Sequence, residues 1–459
     1  MAGEKKQEGR ETEMSLIENL PIIIEESRES VRSIIAGSYT AAEQIGQGQN
    51  ILLQGDNLPF MKYLLDQRDL LGEINLIYID PPFFSKTSYG SELKLHSDKI
   101  KKIPVIKQKA YHDVWEDGME EYLRMLTVRF LLMKELLAED GCLWVHLDWH
   151  SVHYVKILLD EIFGEKNFIN EIIWNYKSGG VSKNHFARKH DTLLFYAKSS
   201  KYYFKAQKEK SYNRDYKPYR FKGISEYKDE LGWYTMVNMK DVWQINMVGR
   251  TSAERTGYAT QKPEQLIERI LESCTKEGDL CADFFGGSGT LAATADRRGR
   301  RWISCDIGEL AAVNTHKRLV SATKAGYIFY IESNHMENRG TLEVKTDLQP
   351  LSVSDKIKLT VTLMEYRPDS LHNIPVEKKY LPVIKRIIRE DPLQLVDYWS
   401  VDFDYAGTVY RPKVFFCKGN DEICRSCDWL AKEFGRIGIH CIDIFGNRTF
   451  HVIDLRREG

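Results

Sequence analysis

"LCADFFGGSGT" (residues 280–290) decides the fold. A short apolar run ends in an aspartate, and a glycine-rich turn carries the chain into a helical pattern, so the stretch reads as strand, tight turn and helix start. Upstream, Pro263 sits where a first-turn proline belongs, Leu266, Ile267, Ile270 and Leu271 form an apolar stripe, and Gly278 follows as a stop. Downstream, "RRWISCDIG" is a second strand whose Asp306 lies 23 residues after Asp283. Glycines let a ligand approach the backbone, and a carboxylate ending the next strand can bind ribose hydroxyls, so a nucleoside suits the arrangement. The spacing differs from the dinucleotide G-x-G-x-x-G, and no lysine follows as a phosphate-binding loop requires. A purely structural strand-to-helix turn is the competing reading, and Asp306 weighs against it.

The same texture runs through the first third of the chain. Apolar runs "NILLQGD", "INLIYID" and "GCLWVHLD" alternate with amphipathic stretches, the signature of a mostly parallel sheet covered by helices. Residues 119–138 show the helical period, with Met119, Tyr122, Leu123, Leu126, Phe130, Leu131 and Leu137 on one face and Gly141 just beyond. The second run ends unusually, as "IYIDPPFFSK" (77–86). Ligands of open α/β sheets sit at the carboxyl ends of strands, so Asp80 and Phe83 should share a crevice with the glycine turn. Prolines lack N–H donors, so Pro81 offers a carbonyl beside the Asp80 carboxylate, two acceptors for one exocyclic amino group. Phe83 adds a flat face for a base.

With 459 residues and 42% hydrophobic composition, the chain can bury large cores. Its net charge is -1, so attraction to a polyanion must come from local clustering. Residues 176–222 supply it, with 13 Lys/Arg against three acids, interleaved with aromatic residues that include Tyr176, Phe186, Tyr196, Tyr202, Tyr203, Tyr212, Tyr216 and Tyr219. That composition suits phosphate contact and base stacking, with a solvated insertion as the alternative. The loop "KIKKIPVIKQK" (99–109) suggests a flap over nucleic acid. Eight scattered cysteines do not resemble a disulfide framework, the first residues hold no apolar signal, and no run is long enough for a membrane span. A soluble cytoplasmic protein is expected. "HLDWH" (146–150) fits a strand end better than a metal cluster, and "CRSC" (424–427) with Cys417 and Cys441 matches no standard zinc spacing, so no metal is expected. The expected organisation is an N-terminal tail and helix (1–40), a first catalytic part (41–175), a basic aromatic insertion (176–250), a cofactor-binding part (251–330) and a β-rich C-terminal domain (331–459).

"DPPF" (80–83) resembles the catalytic D-P-P-[YF] motif of the β class of bacterial DNA amino-methyltransferases, and "DFFGGSGT" resembles their cofactor motif D-P-F-x-G-S-G-T. Similarity extends through "GDN" (55–57), residues 146–174, "KHDTLLFYAKS" (189–199) and "TQKPEQLIERIL" (260–271), covering about residues 45–325. Phe284 stands where the family usually has proline and Leu291 where it often has a second threonine. The chain is most similar to stand-alone adenine methylases and to type III modification subunits. The resemblance implies a Rossmann-like class I methyltransferase sheet in circularly permuted motif order, with an inserted target-recognition region. It implies S-adenosylmethionine as cofactor and base flipping from double-stranded DNA. A restriction subunit and a second copy of the chain are implied partners, in a bacterial or archaeal cytoplasm. Asp80, Pro81, Pro82 and Phe83 would be catalytic. Phe285, Gly287 and Gly289 would contact the cofactor through their backbone, with Asp283, Ser288 and Thr290 in the same turn. Asp306 would take the ribose hydroxyls, Asp56 would lie near the adenine end and Lys262 would close the methionine side. Adenine N6 is the expected target, with cytosine N4 the nearest alternative and a DNA-recognition or modification subunit of a restriction complex the alternative from another class.

Overall fold

The computed structural model describes residues 15–457, apart from residues 94, 101, 178–180, 334–336, 353, 372–373 and 420–421. The first 14 residues of the expected N-terminal tail lie outside the described residues.

The central feature is a ten-stranded sheet in the order Tyr39–Ile45, Tyr327–Glu332, Asn50–Gln54, Arg301–Asp306, Leu280–Asp283, Ile74–Ile79, Leu137–Leu147, His190–Ala197, Phe168–Asn175 and Val242–Gln244. The run from Tyr327–Glu332 to Leu137–Leu147 is parallel throughout. Antiparallel pairs join Tyr39–Ile45 to Tyr327–Glu332, and His190–Ala197 to both of its neighbours. The sheet separates two apolar layers, because alternate residues of each strand face opposite sides. Ile77 and Ile79 join the core under helices Leu16–Ser33, Asn57–Gln67, Gly118–Leu136 and Val152–Phe163, whereas Leu76 and Tyr78 join the core under Glu264–Cys274, Thr290–Arg297 and Glu309–Val320. This is a three-layer α/β fold, a mostly parallel sheet with helices on both faces.

The direction of winding reverses at one place. From Leu280–Asp283 the chain moves one strand outward to Arg301–Asp306, while from Ile74–Ile79 it moves the other way to Leu137–Leu147, and these two starting strands are neighbours. A topological switch point of this kind opens a crevice at the strands' carboxyl ends, here between Asp283 and Asp80.

Three elements differ from the sequence expectation. The helix expected over 119–138 ends at Leu136, and Leu137 already begins the next strand. Gly141 is therefore no helix stop; a Cβ there would lie 2.9 Å from the Ile74 carbonyl oxygen, so glycine permits close strand approach. The stretch 176–250, expected as one insertion, returns to the central sheet through His190–Ala197 and Val242–Gln244, and only the small sheet of Lys208–Tyr212, Glu226–Lys228 and Trp233–Asn238 stands apart. The expected 99–109 flap is part of a β-hairpin, Thr87–Leu93 with Ile106–Asp113. Its Ile100 and Ile106 are buried in the C-terminal core, Ser97 Oγ donates to Asp391 Oδ2 at 2.6 Å, and Gln108 bridges Val376.

The C-terminal part holds the expected antiparallel strands as two sheets, one of Gly340–Pro350, Ile357–Pro368 and Ser426–Ala431, the other of Val414–Cys417, Val396–Asp402, Arg436–Asp443 and Arg448–Asp454. Helix Leu381–Glu390 packs on them through Ile384 and Ile387. No helix among the described residues is long and apolar enough to cross a membrane.

Candidate active site

The crevice at the switch point holds a cavity of about 420 Å³, within the range of small-molecule sites. Asp56, Asp80, Pro81, Pro82, Phe83, Lys262, Phe285, Gly287 and Asp306 all line it. Asp283, Ser288 and Thr290 line a smaller adjoining recess with Gly287 and Lys262. Gly289 lines neither. It precedes helix Thr290–Arg297 with φ +70°, and an added Cβ would lie 2.5 Å from the Thr315 methyl, so its role is to let the turn pack.

At the catalytic end, the Asp80 carboxylate is split between two environments. Oδ2 forms a close ion pair with Lys262 Nζ, and Oδ1 is buried without a hydrogen-bond donor. Lys262, expected on the methionine side, reaches the D-P-P-F motif, with Nζ 5.3 Å from the Phe83 ring centroid. The Phe83 ring lies nearly parallel to His146 at 5.8 Å. His146 belongs to a buried relay: Tyr78 Oη lies 2.9 Å from its Nδ1, its Nε2 lies 3.2 Å from Asp191 Oδ2, and Tyr176 Oη donates to Asp191 Oδ1 at 3.0 Å. Burial alone would raise the Asp191 carboxyl, yet the hydrogen bond and charge of His146 bring it below the ordinary range. "HLDWH" is therefore a strand end whose first histidine supports the motif aromatic ring from behind.

At the cofactor turn, Asp306 accepts hydrogen bonds from the Gly287 and Gly308 N–H groups, both at 2.8 Å. Burial raises its pKa despite these donors. A carboxylate has about four acceptor sites, so two remain for ligand hydroxyls. Asp283 accepts from the Phe285 N–H at 2.9 Å, and complete burial pushes it well above the ordinary carboxylate range. The Thr290 hydroxyl donates to the Lys262 carbonyl at 3.1 Å and lies 3.2 Å from the Ser288 hydroxyl, while Arg318 donates to the Ser288 carbonyl at 3.0 Å. These contacts join the turn to the start of helix Glu264–Cys274. Gly287 has φ +50°, and an added Cβ would face Tyr258 at 3.5 Å beside the cavity. Asp56 caps helix Asn57–Gln67, with Oδ1 accepting from Leu58 N at 2.9 Å and from Arg129 Nη2 at 3.1 Å.

The two departures from the resemblance pattern fall inside the cores. Phe284 is fully buried and its carbonyl accepts from Asn57 Nδ2 at 2.6 Å, while Leu291 packs in the opposite layer. Sequence reading missed Asn57, Arg129, Tyr258, Asp113 and the Tyr78–His146–Asp191–Tyr176 relay. Asn57, Tyr78, His146 and Asp191 lie inside the quoted stretches, whereas Asp113 and Arg129 carry no local signal.

The crevice fits a nucleoside-bearing cation. Two carboxylates with free acceptor sites stand along the wall, a glycine turn exposes backbone, and a donor-free oxygen of Asp80 stands near the aromatic face of Phe83.

Comparison with known proteins identifies the family. The family model of DNA methylases matches residues 74–314. Similar proteins include the type II methyltransferase M2.DpnII of Streptococcus pneumoniae, 27% identical over 276 residues, 59% of this chain and 89% of that one. M.HinfI of Haemophilus influenzae is 25% identical over 289 residues, 60% of this chain and 70% of that one. The Mod subunit of the type III enzyme EcoP15I of Escherichia coli is 25% identical over 171 residues, covering 35% of this chain and 26% of the subunit. Among solved structures, the M1.HpyAVI complex with S-adenosylmethionine aligns at TM-score 0.37 and 16% identity, over 58% of this chain and 98% of that one. The cytosine-N4-specific PvuII DNA methyltransferase aligns at 0.40 and 15%, over 61% and 90%.

Proposed function

The chain belongs to the N6/N4 DNA methylase family, and from that premise we propose that it transfers a methyl group from S-adenosylmethionine to the N6 amino group of adenine in duplex DNA. The observation that carries the reading is the buried Asp80 Oδ1, left without a donor near an aromatic face. An adenine amino group is conjugated into its ring and is a poor nucleophile. Accepting its hydrogens on Asp80 and on the Pro81 carbonyl favours a pyramidal nitrogen with a free lone pair. The cofactor supplies an electrophilic methyl group on a sulfonium. Catalysis by the protein is then positioning and electrostatics. Asp306 and Asp56 would hold the nucleoside half, and the backbone at Phe285 and Gly287 would face the remainder. Lys262 pairs with Asp80 Oδ2 and stands beside the ring on which the base would rest.

The target amine lies inside a duplex, so the base must be flipped out at a cost of a few kcal/mol. Phe83, supported by His146, would receive it. The separate sheet at 208–238 supports DNA recognition by its surface: Tyr216, Tyr219, Phe221 and Tyr227 are exposed among Lys217, Arg220, Lys222 and Lys228. Arg188 is stacked 3.6 Å over the exposed Trp149 ring, next to Asp148 of the cavity wall. The type II and type III relatives support a role in restriction-modification, in which a nuclease subunit or a second copy of the chain would be the partner.

The family spans N6 and N4 chemistry. An aspartate at position 80 favours adenine, as in the adenine-specific members that the motif resembles. Sequencing the DNA of cells that express the protein, with detection of modified bases, gives base and site together. N4-methylcytosine in place of N6-methyladenine would overturn the adenine assignment, and unmodified DNA would overturn the activity.

A further inference from the structure

The catalytic motif does not hold its own shape. After Pro82 the backbone folds around the carboxylate of Asp113, a fully buried residue 30 positions along the chain. Oδ2 accepts from the N–H of Phe83 at 3.1 Å and of Ser85 at 2.6 Å, and from the Ser85 hydroxyl at 2.7 Å. Oδ1 accepts from the N–H of Phe84 and from the Trp115 indole N–H, both at 3.0 Å. Phe84 has φ +65°, which turns three consecutive amides inward as an anion-binding nest. A left-handed phenylalanine is a strained choice and persists only where the surroundings over-determine it. Five donors converging on one carboxylate do so.

We propose that Asp113 is a positioning residue for methyl transfer: its carboxylate sets the loop that carries Phe83, and through it the register of the flipped base against Asp80. The hairpin that ends in Asp113 is anchored on the C-terminal sheets through Ile100, Ile106 and the Ser97–Asp391 contact. The loop is therefore referenced to a part of the molecule outside the cofactor-binding half. The inference rests on the methyltransferase reading of this crevice, and Asp80→Ala serves as its control.

Asp113→Asn keeps the size but turns one acceptor into a donor facing donors. Misplacing a reacting group by about 1 Å costs about 10²-fold in rate. In full-length protein, with enzyme in excess over unmethylated genomic DNA and tritium-labelled S-adenosylmethionine, the single-turnover rate should fall by about that factor. KM for DNA and S-adenosylhomocysteine affinity by calorimetry should stay within about threefold, a split that general loosening of the fold would not produce. Trp115→Phe and Ser85→Ala each delete one donor and keep the packing, and each should lower the same rate about three- to tenfold. A rate within about twofold of the parent for folded Asp113→Asn overturns the proposal, as does a loss confined to KM or cofactor affinity. Should Asp113→Asn not fold, unchanged rates for both single-donor variants overturn it equally. Full activity of Asp80→Ala would instead remove the underlying reading of the site.

Discussion

Two carboxylates, one half-buried in a crevice and one fully buried, define opposite uses of charge in this protein. Asp80 sits in the crevice with one oxygen paired to Lys262 and the other without a donor. Glu43 sits fully buried in strand Tyr39–Ile45, where the catalytic sheet meets the C-terminal sheets, and every approach to it is occupied. Tyr398 Oη donates to Oε2 at 2.9 Å, Ser400 Oγ to Oε1 at 2.6 Å, His440 Nδ1 lies 2.9 Å from Oε1 and His316 Nε2 lies 2.9 Å from Oε2. Burial alone would raise Glu43, but His316 and His440 lower it far below the ordinary carboxylate range. The carboxylate proposed to work on a substrate is short of donors, and the one that joins two parts of the molecule is saturated with them. Removing the first should cost activity and spare stability, and removing the second should do the reverse.

The largest expected effect is on the first member of the pair. Asp80→Ala should lower methyl transfer by at least about 10³-fold while S-adenosylhomocysteine binds within a few-fold of the parent. Normal turnover would break the contrast at once. Glu43→Ala leaves two buried histidines and two hydroxyls without their acceptor, and should destabilise by about 3–5 kcal/mol in urea unfolding. Its activity below the transition should stay close to the parent's. A stable but inactive Glu43→Ala would show that the seam takes part in catalysis.

Third in size is the cofactor turn. Gly287→Val forces a β-branched residue to φ +50° beside the cavity, so S-adenosylhomocysteine affinity should fall more than about tenfold with the fold retained by circular dichroism. Unchanged affinity would place the ligand elsewhere.

Acid should separate the two regions further. His316 has its pKa lowered by burial, so the native state resists its protonation, and stability is lost as pH falls from about 6.5 through that lowered value. Glu43, also lowered, adds a loss only below about pH 4.5. Asp283 and Asp306 are raised, so their burial penalty is relieved as pH falls through the raised values, the opposite sign. The Tm of His316→Asn should therefore fall less than the parent's between pH 7 and pH 5, by a few degrees in calorimetry. Parallel pH curves would exclude His316 as the source.

The smallest effect lies outside both kinds of burial. Lys205 and Lys208 are exposed, whereas Lys210 already engages Asp229 at 2.7 Å. Replacing all three by Ala should flatten the salt dependence of duplex binding by about two phosphates' worth, near 0.9 in slope for each, and weaken all sequences alike. An unchanged slope and affinity would mark these lysines as solvated surface.

The residues that meet in the crevice were largely legible in the chain. Strand, glycine turn and D-P-P-F each carry a local pattern, and the rule that ligands sit at strand ends joined them without knowledge of any contact. His190–Ala197 was hidden inside a basic stretch because its charges lie on either side of the strand, while the strand itself, Leu193 to Ala197, is fully apolar or aromatic and buried. The 87–113 hairpin was hidden because its support comes from residues near 376 and 391.

The sequence by itself determined the mostly parallel, helix-covered sheet, the residue types that meet in the crevice and the antiparallel strands of the C-terminal part, because these follow from periodicity and from residue types at fixed short spacings. Only the tertiary structure decided which carboxylates are saturated and which are free. Asp113 and Glu43 look like any other strand acids in the chain, and what distinguishes them is a set of donors that, Trp115 apart, are brought from 28 to 397 residues away. The energy of a buried charge depends on those neighbours rather than on its own identity.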